Sequence, residues 1–373
     1  MGPLVVWSSP LFNRSSIAEE ARNAILALDS VGVRVRANAL PPVPLATSLP
    51  TAIEARLKAL ALREEPDYPF VHVMHGTPGM LHRHPRAMRH VARVMLETAT
   101  VPAEWAQQLQ QMDDIWVPCS FNVDLFAEAG VPAHVLHAVP EALQAELYDP
   151  AVMPLELPGA TGFIFLSVFG WTRRKGWDVL IRAFLEEFRR DEPVTLALKI
   201  SPYWNRSVPD AVASLRSFVR DELGREPAGA PRIVVIEFEL AAADVPRLYA
   251  AADAFVLPSR GEGWGRPYME AMAMGLPTIG TRWSGNLDFM NDDNSYLVDF
   301  RLVPVSEEAC RERSFLRGHR WAEPSVEHLR ALMRRVLDHP SEARAKGQRA
   351  RADILARYAW RPVGERMAEL LAR

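Results

Sequence analysis

Short apolar runs alternate with longer amphipathic segments along the whole chain, and this alternation restricts the possible folds more than any other feature. Runs such as Phe70–His75 and Ala254–Leu257 have the length and composition of buried strands. The intervening segments carry apolar residues at one-face helical spacing, and Ser16 with Glu19 forms a capping box before the first of them. This alternation predicts βα units and a mostly parallel sheet. The other predicted strands are residues 4–7, 31–37, 92–97, 114–118, 163–168, 194–200 and 233–238.

A proline-rich segment without periodicity, residues 149–162, interrupts the alternation and is the best candidate for a linker. The pattern restarts beyond it, and a chain of 373 residues is long enough for about two domains. We therefore predict an α/β protein with two doubly wound domains, residues 1–155 and 156–355, facing a central cleft that binds ligands. The amphipathic segment 362–371 is predicted to be the helix of a C-terminal stretch, residues 356–373, that returns to the N-terminal domain.

Composition and charge argue against several classes of function. The net charge of -3 gives no reason to expect nucleic acid as a partner. The two cysteines, Cys119 and Cys310, lie far apart without metal-ligand spacing, which argues against a disulfide framework and favours a reducing cytoplasm. No secretory signal is recognisable, and no apolar run approaches the roughly 18 residues of a membrane-spanning helix. We expect a soluble cytoplasmic protein, and peripheral membrane contact stays open.

The richest motif is PSRGEGWGRPYMEAM, residues 258–272, which directly follows the predicted strand Ala254–Leu257. Its glycines allow tight turns and a close approach of the backbone to a ligand. Pro267 suits the first position of a helix, where its missing N–H costs nothing. The free N–H groups from Gly265 to Tyr268 are then expected to form an anion site for a diphosphate. The residues expected to line this site are Gly263, Trp264, Gly265, Arg266 and Pro267.

Two glutamates, Glu262 and Glu270, lie at either side of this predicted turn. Glu270 is expected in the first turn of the helix, where its carboxylate can reach a ribose diol. The alternative for Glu270 is a carboxylate that only complements the helix dipole. Glu262 is expected in the loop, nearer to the position of a transferred group.

The block of residues 259–285 resembles the E-x7-E signature of glycosyltransferase family 4 (glycosyl transferases group 1), whose members are retaining enzymes with the GT-B fold of two Rossmann-like domains. The resemblance covers most of the C-terminal half, residues 163–358, and is weaker in the N-terminal half. It implies that Glu270 binds the nucleotide ribose. It also implies that Glu262 contacts the donor sugar hydroxyls and stabilises the developing oxocarbenium ion.

A second motif, FGWTRRKGWD at residues 169–178, supports the resemblance. Family members place a lysine before a glycine here to hold the diphosphate, and Lys175 occupies that position. Many relatives also carry an arginine where this chain has Trp171, so Arg173 or Arg174 is expected to take its place. A solvated surface charge is the alternative for Arg174 and for Lys175.

The sequence predicts no catalytic metal and no cofactor apart from the nucleotide diphosphate sugar used as co-substrate. Metal-dependent transferases of the other major fold carry a D-x-D motif after a strand. Asp113 with Asp114 and Asp292 with Asp293 lack that context, and we interpret them as solvated loop residues. Fixed cations and backbone N–H groups would then stabilise the departing diphosphate.

In the N-terminal half, His75 ends a predicted strand and precedes a Gly/Pro turn, a position where α/β folds bind ligands. The family often places a histidine near here beside the transferred sugar, and a purely structural role is the alternative. The first loop, residues 8–16, lacks glycine, so Asn13, Arg14 and Ser15 are candidates to contact donor or acceptor by their side chains. The basic stretch 82–93 is interpreted as a solvated loop, with attraction of a lipid surface or an anionic acceptor as the alternative.

The family resemblance, together with these features, implies a retaining, metal-independent glycosyltransferase. It would move a hexose from a donor of the GDP-mannose or UDP-glucose type to a glycan, lipid-linked or small-molecule acceptor. The alternatives are another GT-B activity, namely a glycosyl phosphorylase or a nucleotide-sugar hydrolase or epimerase, and a catalytically degenerate binding module. The sequence does not separate the donors and does not fix the acceptor, the linkage or the oligomeric state.

Overall fold

The computed structural model describes residues 3–13, 15–41, 49–64, 66–201, 207–225 and 229–373. Arg14, a candidate for substrate contact, therefore lies outside the described residues. The chain divides into two compact units. Unit 1 contains residues 1–147, 241–243 and 355–373, and unit 2 contains residues 148–240 and 244–354.

Strands and helices alternate along most of the chain, as the sequence predicts. The strands are β1 (Val5–Ser9), β2 (Val35–Ala39), β3 (Phe70–His75), β4 (Ala87–Arg93), β5 (Asp114–Val117), β6 (Leu136–Ala138), β7 (Phe163–Gly170), β8 (Val194–Ser201), β9 (Arg232–Ile236), β10 (Ala254–Leu257), β11 (Thr278–Thr281), β12 (Tyr296–Val298), β13 (Phe300–Pro304) and β14 (Arg320–Pro324). The helices are α1 (Ser16–Ser30), α2 (Thr51–Ala61), α3 (Ala103–Leu109), α4 (Ser120–Glu128), α5 (Trp177–Glu187), α6 (Val208–Ser217), α7 (Val245–Ala250), α8 (Arg266–Ala273), α9 (Glu307–Glu312), α10 (Val326–Asp338), α11 (Pro340–Tyr358) and α12 (Trp360–Leu371).

The described residues of unit 1 form a six-stranded sheet in the order β2-β1-β3-β4-β5-β6, and its neighbouring strands are all parallel. Helix α12 packs on α1, so the predicted return of the C-terminal helix to the N-terminal half is observed within this unit. A Cβ atom added at Gly364 would lie 2.3 Å from the carbonyl oxygen of Ala27, which shows how closely the two helix backbones approach. The Trp360 indole N–H also donates to Oδ1 of Asn23 at 2.8 Å.

In unit 2, the larger sheet of the described residues runs β12-β11-β10-β7-β8-β9, and its strands are likewise parallel. From β7 the chain winds outward through β8 and β9, then returns to β10 beside β7 and winds outward the other way. This is the doubly wound Rossmann order, and its topological switch point lies between β7 and β10. Strands β13 and β14 form a separate antiparallel pair.

Several local predictions were wrong. The cap of α1 is Ser15, whose hydroxyl accepts from the Ala18 amide, and not Ser16. The second strand is Val35–Ala39 rather than 31–37, and β4 is Ala87–Arg93 rather than 92–97. Only residues 82–86 of the stretch 82–93 form a loop leading into a strand, because β4 occupies the rest and its last four residues are buried. In the part of the chain that is described, no helix has both the length and the apolar character needed to cross a membrane.

Candidate active site

The switch point of the unit 2 sheet brings two of the predicted site residues together. Lys175 follows β7 and Glu262 follows β10, and these neighbouring strands are parallel. Loops that follow parallel strands emerge at the same edge of the sheet, and doubly wound sheets bind ligands at this edge beside the switch point. Residues 87 positions apart in the sequence are thereby placed in direct contact.

Lys175 and Glu262 form a bidentate ion pair. The Nζ atom of Lys175 donates to Oε1 of Glu262 at 2.7 Å and to Oε2 at 2.8 Å. The side chains of Lys175 and Glu262 are only 13% and 6% exposed. Arg174 lies beside the pair, with its Nη1 atom 2.5 Å from the Gly261 carbonyl oxygen and 3.3 Å from Oε2 of Glu262. Arg174 is therefore not a solvated surface charge.

The electrostatic environment keeps Glu262 ionised. Burial acts to raise the pKa of Glu262, but the positive charges of Lys175 and Arg174 outweigh it and hold that pKa below its ordinary value. Burial raises the pKa of Tyr268 well above its usual range, and the negative charge of Glu262 raises it further. A buried carboxylate and two adjacent cations are therefore held together at one point of the sheet edge.

The backbone around Glu262 is held by a segment that follows β11. The Glu262 amide donates to the hydroxyl of Ser284 at 2.9 Å, and the Gly285 amide donates to the Glu262 carbonyl at 3.0 Å. Ser284 has φ 74° and ψ -154°, a region of backbone space used almost only by glycine. A Cβ atom at Gly285 would lie 2.3 Å from the Gly263 carbonyl oxygen, so only glycine fits there.

Arg260, which the sequence reasoning missed, joins the two loops of the site. Its guanidinium donates to both carboxylate oxygens of Asp178, at 2.7 and 2.8 Å, and to both of Glu323, at 2.7 and 2.9 Å. It also donates to the Arg173 carbonyl at 2.6 Å. Asp178 lies three residues after Lys175, and Arg260 lies two residues before Glu262. This network therefore sets the distance between the loop that carries Lys175 and the loop that carries Glu262.

Glu270 lies in α8, buried with 6% of its surface exposed. Helix α8 begins at Arg266, which puts Glu270 in the second turn and not the first; the helix dipole therefore does not explain it. The hydroxyl of Tyr249 donates to Oε2 of Glu270 at 2.9 Å, and Nη1 of Arg266 lies 4.0 Å from Oε1.

The glycine-rich turn differs in detail from the prediction. Gly265 precedes α8 with φ 102°, and Pro267 is the second helical residue rather than the first. The Tyr268 amide donates to the Gly265 carbonyl at 3.0 Å, so it does not belong to the predicted set of free N–H groups. The Trp264 ring is buried against Phe289, and Gly263 and Arg266 are buried as well.

The side chains of Arg173 and Trp171 pair with or pack on neighbouring side chains of unit 2. Arg173 pairs with Asp178 at 2.9 Å and with Glu308 at 2.8 Å, and it stacks on the ring of Trp177. Trp171 is 1% exposed and stacks on Trp177 with 4.3 Å between ring centroids. Of the two arginines proposed to take the place of the family arginine, Arg174 is the one in contact with Glu262.

In unit 1, His75 is buried at the end of β3, with Nε2 3.2 Å from Oε2 of Glu20 and its ring edge against Trp7. Glu20 also accepts from Arg93 at 2.6 Å. Burial acts to raise the pKa of Glu20, but Arg93 and His75 bring it down to about 2. The sequence pattern predicted His75, but it included Arg93 only in the basic stretch 82–93. It gave no sign of Glu20, which lies in a helix without a motif.

The other described candidates of unit 1, Asn13 and Ser15, form hydrogen bonds with each other. Oδ1 of Asn13 accepts from the amide of Ser15 at 2.9 Å and from its hydroxyl at 2.7 Å. Asp114 is buried in β5 and bonds to His137 and Arg89, so its interpretation as a solvated loop residue was wrong. No group of three or more His, Cys, Asp or Glu side chains suited to a metal ion occurs among the described residues.

The strand order and its switch point place unit 2 in the class of Rossmann-like α/β domains. Residues 160–309 match the family model described as Glycosyl transferases group 1. This match confirms the resemblance carried by residues 259–285, which lie within the matched segment.

Curated relatives match over part of the chain. The chain is 26% identical over 166 residues to mannosylfructose-phosphate synthase of Agrobacterium fabrum, covering 43% of this chain and 36% of the relative. It is 30% identical over 210 residues to the GDP-mannose-dependent alpha-(1-6)-phosphatidylinositol monomannoside mannosyltransferase of Mycolicibacterium smegmatis, covering 53% of this chain and 45% of the relative. The match thus spans less than half the length of either relative.

Solved structures match over almost the whole chain. HepE from Anabaena, in complex with UDP and glucose, aligns with a TM-score of 0.69 at 15% identity and covers 99% of both chains. Sucrose-phosphate synthase from Thermosynechococcus elongatus aligns with a TM-score of 0.67 at 16% identity, covering 99% of this chain and 98% of the other. At this identity the likeness shows the fold, which is the GT-B type with two Rossmann-like domains.

Proposed function

We propose that this protein is a retaining glycosyltransferase of family 4 that uses a nucleotide diphosphate sugar as donor. The hexose would pass to a glycan, lipid-linked or small-molecule acceptor, with unit 1 providing the acceptor side. We further propose a cytoplasmic location, which agrees with the two cysteines being free thiols. The observation that carries the proposal is the buried Lys175–Glu262 pair at the switch point of unit 2.

The chemistry of transfer explains why such a pair is useful. Cleavage of the bond between sugar and phosphate leaves a diphosphate with growing negative charge and a sugar with growing positive charge. Lys175 and Arg174 carry the charge that stabilises the first, and the ionised Glu262 carries the charge that stabilises the second. Fixed side chains in a buried site stabilise these charges more than water does, because they do not reorganise during the reaction.

The stereochemistry and the absence of a metal requirement are part of the proposal. Attack on the same face from which the diphosphate departs retains configuration, and the departing phosphate oxygen accepts the proton of the acceptor hydroxyl. This route needs no protein nucleophile. The two cations of the site supply the charge that a metal ion would otherwise supply, and we expect turnover to persist in a chelator.

Donors of the GDP-mannose and UDP-glucose types are the first to test. One curated relative is named as GDP-mannose-dependent, and related solved structures hold UDP-glucose or UDP with glucose. We propose that Glu270 binds the ribose shared by both nucleotides, so the base and the sugar are read elsewhere in the site.

The decisive experiment measures binding before activity. Thermal shift and calorimetry with GDP, UDP and their mannose and glucose forms should show one preferred nucleotide, because a ligand that binds only the folded state raises its melting temperature. A ligand at 100 times its Kd should add about 2.7 kcal/mol to the stability of the folded state. Proton NMR of the first product formed in a chelator then reports the anomeric configuration. Failure to bind any nucleoside diphosphate would overturn the proposal.

A further inference from the structure

Tyr249 connects a helix outside the glycine-rich motif to the second glutamate of that motif. It lies in α7, is fully buried, and donates its hydroxyl hydrogen to Oε2 of Glu270 at 2.9 Å. A hydrogen bond from a buried hydroxyl to a carboxylate is among the stronger ones in proteins.

The Tyr249 ring is held by packing, so its hydroxyl has little freedom to move. Its ring lies 5.8 Å from that of Phe255 in β10, and the Phe255 ring lies 5.8 Å from that of Tyr268. The Tyr268 hydroxyl in turn donates to the carbonyl of Leu257. A row of aromatic rings therefore fixes the direction of the Tyr249 hydroxyl relative to the carboxyl end of β10.

A fixed donor at one oxygen sets the plane of the whole carboxylate. A glutamate side chain has three rotatable bonds, and the terminal one turns freely unless something holds it. With Oε2 on Tyr249, the position of Oε1 is determined, on the side where Nη1 of Arg266 lies 4.0 Å away. A diol is recognised well only by a carboxylate whose two oxygens are already oriented, because orientation after binding costs side-chain entropy.

We propose that Tyr249 is a positioning residue that orients Glu270 for the ribose hydroxyls of the donor. This inference rests on the proposed function and deepens it, because it assigns recognition of ribose over deoxyribose to the pair rather than to Glu270 alone. The residue touches no substrate itself, and its effect passes through the carboxylate.

The test is the variant Tyr249→Phe, which removes one hydroxyl and keeps the ring. Calorimetry measures the Kd of GDP and UDP and of their 2′-deoxy and 3′-deoxy forms for the wild type, Tyr249→Phe and Glu270→Gln. We expect Tyr249→Phe to weaken binding of the preferred ribonucleotide about fivefold to tenfold, with much less change for the deoxy form. The KM of the nucleotide sugar should rise while kcat stays nearly constant.

Tyr296→Phe is the matched control. Tyr296 is also a buried tyrosine of unit 2 with its hydroxyl near a glutamate, 3.3 Å from Oε1 of Glu342. Its variant should leave the preference for ribose unchanged. A double-mutant cycle of Tyr249→Phe with Glu270→Gln should show losses that do not add.

The outcomes separate this inference from the proposed function. If the wild type binds no nucleoside diphosphate, the proposed function fails and this inference with it. If the wild type discriminates ribose and Tyr249→Phe discriminates equally well, only the role of Tyr249 is refuted. Equal weakening of the ribo and deoxy forms by Tyr249→Phe, in a variant that remains folded by circular dichroism, also refutes it.

Discussion

The ammonium group of Lys175 lies 2.7 and 2.8 Å from the two carboxylate oxygens of Glu262, so each residue neutralises the other. Both are largely buried, and the surrounding low dielectric strengthens their attraction. A donor diphosphate that binds Lys175 must compete with Glu262 for it. Donor binding and the release of the Glu262 carboxylate toward the sugar are therefore linked in the proposed mechanism.

Glu262→Gln should reduce kcat far more than it reduces donor affinity. The amide keeps the shape but loses the charge that stabilises the developing positive sugar, and such losses typically cost about 10²- to 10³-fold in turnover. Nucleoside diphosphate affinity should stay the same or increase, because Lys175 is no longer neutralised. Initial-rate kinetics and calorimetry measure the two effects separately.

Lys175→Met is the comparison for that variant and should weaken nucleotide binding itself. A Glu262→Gln protein with normal turnover, or one that loses as much nucleotide affinity as Lys175→Met, would contradict the assignment of charges.

Ser284→Gly should be more stable than Ser284→Ala, the reverse of the usual order of stability for these two replacements. Both lose the hydroxyl that accepts from the Glu262 amide, but Ser284 has φ 74°. Glycine relaxes this strained backbone, which costs about 1–3 kcal/mol for a residue with a Cβ atom. We expect the glycine variant to be more stable than the alanine variant by that amount in urea unfolding. An alanine variant as stable as the glycine variant would show that the strain is absent.

Arg260→Met should destabilise the protein by about 3–5 kcal/mol, because it removes a buried cation from between two largely buried carboxylates. Among the described residues, Asp178 then keeps only its ion pair with Arg173. Arg260 is 6% exposed at its side chain and binds both Asp178 and Glu323. The control is Arg220→Met, since Arg220 is 63% exposed and pairs with Asp221 at the surface. Exposed pairs contribute about 0–1 kcal/mol. Similar losses in the two variants would argue against a special role of the Arg260 network.

Glu20 should make stability depend on pH in the acid range. Its pKa is lowered from 4.5 to about 2, so the folded state favours the ionised form. The stability this provides is fully present above pH 4.5 and is lost as the pH falls toward 2. The difference in unfolding free energy between the wild type and Glu20→Gln should therefore be largest above pH 4.5 and shrink below it. A constant difference between pH 6 and pH 3, measured by urea unfolding, is the contrary result.

The sequence predicted best those features that depend on local spacing. Strands Phe70–His75 and Ala254–Leu257 were placed with the correct bounds, because short apolar runs between turn residues are sufficient to mark buried parallel strands. The predicted boundaries of helices and strands were wrong where neighbouring residues suited more than one structure. Ser15 and Ser16 are both able to cap a helix, and arginines in the stretch before Arg93 concealed strand β4. Arg93 is buried because Glu20 pairs with it, and that partner lies 73 residues away.

The sequence by itself determined the alternation of strands and helices, the glycine-rich turn and the presence of Lys175, Glu262 and Glu270. Only the tertiary structure decided which residues meet: Lys175 with Glu262, Tyr249 with Glu270, and Arg260 with its two carboxylates. The physical reason is that helix and strand patterns arise from neighbours a few residues apart. Contacts across a sheet edge depend instead on strand order, and strand order is fixed by packing of the whole domain.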